Sequence, residues 1–366
     1  MTVGIEPVGA NAARLWGLTA EERLRRIARA QGLLAEQAAE RILVNLAFAF
    51  DPAWLQLAAS EQDLLITREG IPVLARVGPD AAAQVRHAMA ENRPIVPPPG
   101  VQLIAQEESG EIENKALRKR HRPFIERLTP ATSGHLERIS YDASYKGVTD
   151  LLTKYLWPEW AFALTRLAAR AGLSPNMVTT IGALLCAAAG LAFWHGWYWS
   201  GVAAGLAFMV LDTVDGKLAR CTITSSWWGN LFDHGIDLVH PLLWWWAWGV
   251  GLEGYGRPLA DATFAAVMIV LIAGYIVQRL IEGAFILQFG IHIHVWQRLD
   301  SQFRLVTARR NPNMVILFLS LIVSVPDLGL LAVAAWTLLS CLFHLVRLVQ
   351  AWLARAGGRP IESWLV

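Results

Sequence analysis

Four aspartates in this 366-residue chain are spaced to act together. Between Glu159 and Glu253 the only carboxylates are Asp212, Asp215, Asp233 and Asp237. Between Arg170 and Arg257 the only basic residues are Lys217 and Arg220, and all six groups fall within 26 positions. Asp212 and Asp215 are i, i+3 and share one helix face, while Asp233 and Asp237 are i, i+4 and share a face of the next helix. A short connection makes those helices antiparallel neighbours, so the four carboxylates converge on one pocket. Bare carboxylates so close raise one another's pKa values. A divalent cation resolves the conflict, and an all-oxygen set suits a hard ion such as Mg²⁺ or Mn²⁺. Gly216 and Gly229 leave the backbone open to close approach by a large ligand. Arg220 offers a fork of donors to a phosphate. The competing reading is a set of polar residues gluing helices together. Ionisable groups in apolar segments are costly and functional by default, and four carboxylates with two basic neighbours fit glue poorly.

Stepping outward from the aspartates, the surrounding residues are those of a membrane domain. The chain is 54% hydrophobic and 17% charged, with 17 Trp, against roughly 25% charged in a typical soluble chain. Residues 1–170 hold 21 Lys/Arg and 20 Asp/Glu, whereas residues 171–366 hold 11 and 10. A disordered or wholly soluble, highly charged protein is excluded, and a net charge of +2 predicts no nucleic-acid partner. Six apolar spans are expected at 176–196, 199–220, 228–251, 261–289, 312–325 and 328–352, at about 20 residues per crossing. With the N-terminus inside, the outer connections hold only Arg257, while the inner ones and the tail hold Lys217, Arg220, Arg298, Arg304, Arg309, Arg310, Arg355 and Arg359. That asymmetry places both termini and the aspartates on the cytoplasmic side.

Before the spans, residues 1–110 read as a small cytosolic α/β domain with no apolar signal stretch. Helical spacing covers 20–38, a buried strand 41–49, a hairpin 63–67/71–77 turning at Glu69-Gly70, a helix 80–91, and a last strand at VQLIA (101–105). Residues 111–174 follow as a basic linker and a juxtamembrane helix. The basic cluster 115–127 is either a solvated helix face or a contact for anionic headgroups, and 149–172 is an interfacial helix lying on the bilayer. The membrane domain occupies 175–355, and 356–366 form a cytosolic tail. Cys186, Cys221 and Cys341 have no spacing for zinc or a disulfide framework.

The run LDTVDGKLARCTITSSWWGNLFDHGID matches D-x2-D-G-x2-A-R-x8-G-x3-D-x3-D at every fixed position. This resembles the signature of the CDP-alcohol phosphotransferases, and the likeness extends over roughly 145–355, including the SPNMVTT opening of the first span. The resemblance implies transfer of a phosphoalcohol group from a CDP-alcohol to an acceptor hydroxyl, with release of CMP, in phospholipid biosynthesis. It implies that Asp212, Asp215 and Asp233 hold the metal, with Asp237 beside them as base. Gly216, Ala219, Arg220 and Gly229 would line the CDP site, and the chain would form a homodimer. Basic residues in a comparable loop serve phosphorylated acceptors in such proteins, which makes Arg304, Arg309 and Arg310 candidates for an acceptor or phosphate site; the plainer reading is an ordinary positive-inside loop. The N-terminal domain resembles a degenerate nucleotidyltransferase, as in inositol-phosphodiester synthases. It lacks any G-x-G and any lysine before Lys115, so no phosphate-cradling loop is expected, and its role would be docking or dimer assembly.

Two other functions are open to the same residues. One is synthesis of a soluble inositol-phosphate-type phosphodiester from CDP-inositol. The other is a non-catalytic scaffold or an ion-coupled transporter, although transport sites usually lie at the midplane. Elsewhere, His234 is expected to pack or hydrogen-bond, and His292 and His294 to be interfacial. Trp244, Trp245, Trp246 and Trp248 are expected to face lipid or a dimer partner. Pro241 is expected to kink the third span, with a neighbouring helix satisfying the freed carbonyl.

Overall fold

The chain begins with a parallel β-α-β unit. Strand β1 (Val3–Val8) leads through the ribbon β2 (Arg14–Leu15) and β3 (Leu18–Thr19) into helix α1 (Ala20–Ala30), and β4 (Glu40–Asn45) returns parallel to β1. The computed structural model describes residues 3–34, 38, 40–115 and 117–365, without the side chains of Trp228, Asn230 and Asp233. Thr19 caps α1 by accepting the Glu22 N–H. The helix ends at Ala30, short of the expected 38, because Gly32 turns at φ +73° and the Leu33 N–H folds back onto the Ala28 carbonyl. The single strand expected over 41–49 is two. Asn45 accepts the Ala47 N–H and turns the chain into β5 (Phe48–Phe50).

After α2 (Pro52–Ser60), the hairpin of β6 (Leu64–Arg68) and β7 (Ile71–Arg76) turns on Glu69 and Gly70, both at positive φ. Helix α3 (Pro79–Glu91) and β8 (Gln102–Ala105) complete a five-stranded sheet of order β1-β4-β7-β6-β8. The basic stretch 115–127 is not a helix. Pro123 would break a helical ladder there, and Phe124 and Ile125 are buried in the domain core. The segment instead pairs as the β9 (Ile112–Asn114) and β10 (Lys119–His121) hairpin, followed by β11 (Ile125–Arg127) against β5.

Helices α4 (Ser133–Ala143) and α5 (Trp157–Arg170) bridge to the apolar half. One face of α5 buries Trp157, Ala161, Thr165 and Ala168, while Trp160, Leu164 and Leu167 stay exposed on the other. There follow α6 (Pro175–Trp194), α7 (Tyr198–Cys221), α8 (Trp227–Gly254), α9 (Asp261–Phe289), α10 (Arg298–Arg304), α11 (Arg310–Ile322) and α12 (Pro326–Ala356). Three of them, α6, α9 and α12, are long and apolar enough to cross a membrane. Helices α7 and α8, with 24 and 28 residues, have crossing length and carry the aspartates. Helix α11 has 13 residues and extends only about 20 Å.

The tryptophan run does not face outward as a block. Trp244, Trp245 and Trp248 are buried, and only Trp246 is exposed. The Trp244 indole donates to the Cys186 carbonyl on α6, and that of Trp248 to the Pro326 carbonyl. Burial becomes favourable once each indole N–H has a partner. Pro241 lies inside α8 and cannot donate to the Asp237 carbonyl four residues earlier. The Tyr275 hydroxyl of α9 donates to Asp237 O at 3.4 Å and Leu238 O at 3.2 Å.

The α/β domain docks on the C-terminal end of α7. Val214, Leu218 and Cys221 share a core with α1, β4 and β5. Arg26 donates to the Thr222 carbonyl at 2.9 Å, and buried Arg23 to the Cys221 carbonyl at 3.4 Å. At the opposite end of the bundle, α8 meets the α6–α7 turn with no room for a side chain. A Cβ on Gly251 would lie 1.8 Å from the Phe193 carbonyl oxygen. Gly251→Ala is therefore expected to push α8 off α6 and destabilise the bundle by about 2 kcal/mol or more. The check is a lower melting temperature of the detergent-purified protein; an unchanged melt would show that the contact is not tight.

Candidate active site

The C-terminal half of α7 and the N-terminal half of α8 bring Asp212, Asp215 and Asp237 to one place, and Arg310 joins them. Its Nη2 donates to Asp212 Oδ2 at 2.7 Å and its Nη1 to Asp237 Oδ1 at 2.6 Å. One guanidinium thus spans a carboxylate from each helix, with bidentate-type charge-assisted bonds. Asp215 is buried one turn after Asp212, and its Oδ2 accepts the Thr179 hydroxyl of α6 at 2.6 Å. Asp233 lies one turn before Asp237 on α8, but its side chain is outside the described residues. Lys217 turns away from the cluster. It is buried with its Nζ 3.0 Å from the centroid of the Tyr145 ring. Among the described residues, Arg310 is the cation that the aspartates contact.

Two cavities flank this cluster. The smaller, about 140 Å³, is bordered by Asp215, Gly216, Ala219 and Arg220 of α7, by Gly229 of α8, and by Asn176 and Thr179 of α6. Ser226 caps α8 by accepting the Gly229 N–H. A Cβ on Gly229 would lie 2.7 Å from Asn176 Oδ1, so glycine lets the first turn of α8 approach α6. The larger cavity, about 380 Å³, is bordered by Asp237, Arg310, Arg304, Arg309, Arg279 and Arg118, with His234 at its edge.

The larger cavity is basic and held by buried anions. Glu282 of α9 accepts from Arg309 and, at 3.3 Å, from Arg279, while His294 Nε2 lies 3.4 Å from it. His294 is buried rather than interfacial, because it packs against His344 beneath this pair. Glu282, His294 and His344 are metal-type side chains in one cluster, but the Arg309 guanidinium already occupies the Glu282 oxygen that faces His294. Asp150 accepts from Asn311 at 2.8 Å and so fixes the first turn of α11, which carries Arg310. Arg304 has two buried N–H groups with no partner among the described residues. Burial, then the charge of Arg309, pushes its pKa down to about 9.

The sequence-predicted residues thus fall in three places. Asp212, Asp215 and Asp237 converge with Arg310; Gly216, Ala219, Arg220 and Gly229 border the smaller cavity; Arg304 and Arg309 border the larger. Thr179, Asn176, Asp150, Asn311, Arg279, Glu282 and Arg118 were not singled out from sequence. Arg279 and Glu282 carried a usable signal, being an ionisable pair inside an apolar span.

Against known proteins, residues 173–300 match the family model "CDP-alcohol phosphatidyltransferase". Cholinephosphotransferase 1 of Gallus gallus is 33% identical over 123 residues, covering 31% of this chain and 35% of that protein. Phosphatidylinositol phosphate synthase of Cutibacterium acnes is 36% identical over 84 residues, covering 21% and 40%. The chain therefore spans between a third and two fifths of the length of these relatives. Among solved structures, phosphatidylinositol phosphate synthase of Mycobacterium tuberculosis with CDP-DAG bound aligns at 17% identity and a TM-score of 0.39, over 51% of this chain and 92% of that one.

Removing Arg310 leaves Asp212 and Asp237 facing each other without a cation. Arg310→Ala is expected to lower stability by about 3 kcal/mol in metal-free buffer. Millimolar Mg²⁺ or Mn²⁺ should restore much of it if the carboxylates can hold a divalent ion. Melting curves with and without metal check this; a loss that no cation repairs would mean that the carboxylates are not a metal site. All four aspartates lie inside the segment that matches the CDP-alcohol phosphatidyltransferase family.

Proposed function

We propose that the protein is a membrane CDP-alcohol phosphotransferase acting in phospholipid biosynthesis. The observation that carries this reading is the placement of Asp212 and Asp237 on one guanidinium, between a small cavity walled by the glycines of the motif and a larger basic one. The small cavity suits the CDP end of the donor. Arg220 stands at its wall, and Gly216 and Gly229 leave the backbone within reach of a diphosphate. The larger cavity suits the acceptor, and its arginines favour an acceptor that carries a phosphate.

The donor set fits a hard divalent ion, Mg²⁺ or Mn²⁺, because hard carboxylate oxygens from two helices already share a cation in Arg310. Asp212, Asp215, Asp233 and Asp237 would hold it. When bound there it would neutralise diphosphate charge and stabilise the leaving CMP. Asp237 accepts the proton of the acceptor hydroxyl. That oxygen attacks the phosphorus bearing the alcohol, the bond from this phosphorus to the CMP oxygen breaks, and CMP departs with the electron pair. Asp237 suits the role because its side chain is about 44% exposed and borders the acceptor cavity, whereas Asp215 is buried and committed to Thr179. Arg310 holds the Asp237 side chain in place.

We place α6, α7, α8, α9, α11 and α12 as six membrane-embedded helices with the site on the cytoplasmic side, as the basic inner connections support. Asp212 and Asp215 lie past the middle of α7, and Asp233 and Asp237 before the middle of α8, an off-centre placement that disfavours a transporter. Asp237→Asn should lower CMP release from a CDP-alcohol by at least about 100-fold, while Asp212, Asp215 and Asp233 keep part of the metal-dependent stabilisation. A variant that keeps near-normal turnover would remove Asp237 as the base. Wild-type protein that releases no CMP across CDP-diacylglycerol and CDP-inositol with polyol and polyol-phosphate acceptors would overturn the function.

A further inference from the structure

The larger cavity contains one arginine that comes from neither the bundle nor its inner loops. Arg118 sits at the tip of the β9–β10 hairpin, which lies outside the segment matching the family. Arg118 borders the 380 Å³ cavity and also an outer groove of about 580 Å³, which carries Lys119, Arg120, Lys154 and Arg298. Val148 and Thr149 border both spaces as well, so Arg118 stands where the groove meets the cavity.

The hairpin tip is fixed there by backbone contacts. Gly147 N–H donates to the Leu117 carbonyl at 2.8 Å, and the Leu117 N–H donates to Asn114 Oδ1 at 3.0 Å. A Cβ on Gly147 would lie 2.6 Å from the Arg118 carbonyl oxygen and 2.6 Å from Lys119 Cβ. Only glycine allows the tip to seat this deeply. Arg118 itself takes a left-handed backbone conformation, φ +50°, which a non-glycine residue holds only when its surroundings enforce it.

The side chain placed at this cost is unsatisfied. Arg118 Nε is buried without a hydrogen-bond partner among the described residues. The nearby Glu282 is already engaged by Arg309 and Arg279. Arg304 also keeps two buried N–H groups unpaired. Buried guanidinium N–H groups left without partners are costly unless an anion completes them. We propose that Arg118 binds the phosphate of the acceptor together with Arg304, so that a hairpin preceding the membrane helices completes the acceptor site. The acceptor assignment rests on the function proposed above; the anion site does not.

Inorganic phosphate is the probe, added to the full-length protein in neutral detergent while its melting temperature is followed. Phosphate should raise the wild-type melt. Arg118→Ala should need roughly tenfold more phosphate for the same rise, the loss of one charge-assisted contact, and Arg118→Gln should do the same while keeping bulk. Gly147→Ala, which lifts the tip, should resemble Arg118→Ala. Arg86→Ala, whose exposed side chain pairs with Glu6, should behave as wild type. Equal phosphate dependence in wild type and in both Arg118 variants would overturn the proposal. So would an Arg118-dependent rise produced by anionic lipid in mixed micelles but not by phosphate, because the group bound would then be a headgroup. In turnover assays, Arg118→Ala should raise KM for a phosphorylated acceptor about tenfold with kcat little changed, and leave an uncharged acceptor unaffected. Absence of CMP release with an intact phosphate effect would reject the transfer reaction while leaving the anion site standing.

Discussion

Like charges held close together govern this structure. Aspartates of α7 and α8 share a cation, and several arginines around the adjoining cavity share anions. Arg310 stands at the junction, reaching Asp212 and Asp237 from the first turn of α11. Glu282 plays the reciprocal part on the other side, gathering Arg309, Arg279 and His294. Each half of the site is tolerable because the other half is near. Taking either away leaves buried charge uncompensated, which costs far more than a surface ion pair returns. The neutralisation is unfinished beside the larger cavity, where Arg118 and Arg304 keep buried N–H groups without partners among the described residues.

The helices would not hold these charges in register alone. Helix α7 ends where the α/β domain begins to pack on it, and Arg23 and Arg26 meet its last carbonyls. Carbonyls at a helix C-terminus lack intrahelical donors and carry partial negative charge. Two guanidiniums satisfy both deficits while the apolar side of α1 buries Leu218 and Cys221. The domain thus has a positioning role that needs no chemistry of its own. The β1–α1 connection forms the small ribbon β2–β3, and α1 contributes buried apolar residues to the core that it shares with the sheet.

What the sequence made legible was local. The i, i+3 and i, i+4 spacing placed Asp212, Asp215 and Asp237 on facing helices, and Glu69-Gly70 announced its hairpin because Gly70 adopts a left-handed turn at no steric cost. What it hid was long-range. Arg310 lies 98 residues from Asp212, and nothing in a positive-inside loop distinguishes an arginine that turns inward from its neighbours. Arg118 was hidden more deeply, inside a basic stretch that reads equally well as a solvated face. The tryptophans misled for another reason. Their bulk suggested lipid, but Trp244 and Trp248 each find a carbonyl for the indole N–H within the bundle, and only tertiary structure supplies those acceptors.

The proline in α8 ties two parts of the molecule into one lever. Pro241 leaves the Asp237 carbonyl without its helical donor, and Tyr275 of α9 takes it up. Arg279 lies one turn beyond Tyr275 on that helix, with its guanidinium 4.9 Å from the Tyr275 ring centroid, and Glu282 follows within another turn. The backbone that carries the Asp237 carboxylate is therefore coupled to the helix that anchors the arginine cavity. One phenol thus joins the helix that anchors the arginine cavity to the backbone of Asp237, at a point where α8 lacks one of its own hydrogen bonds.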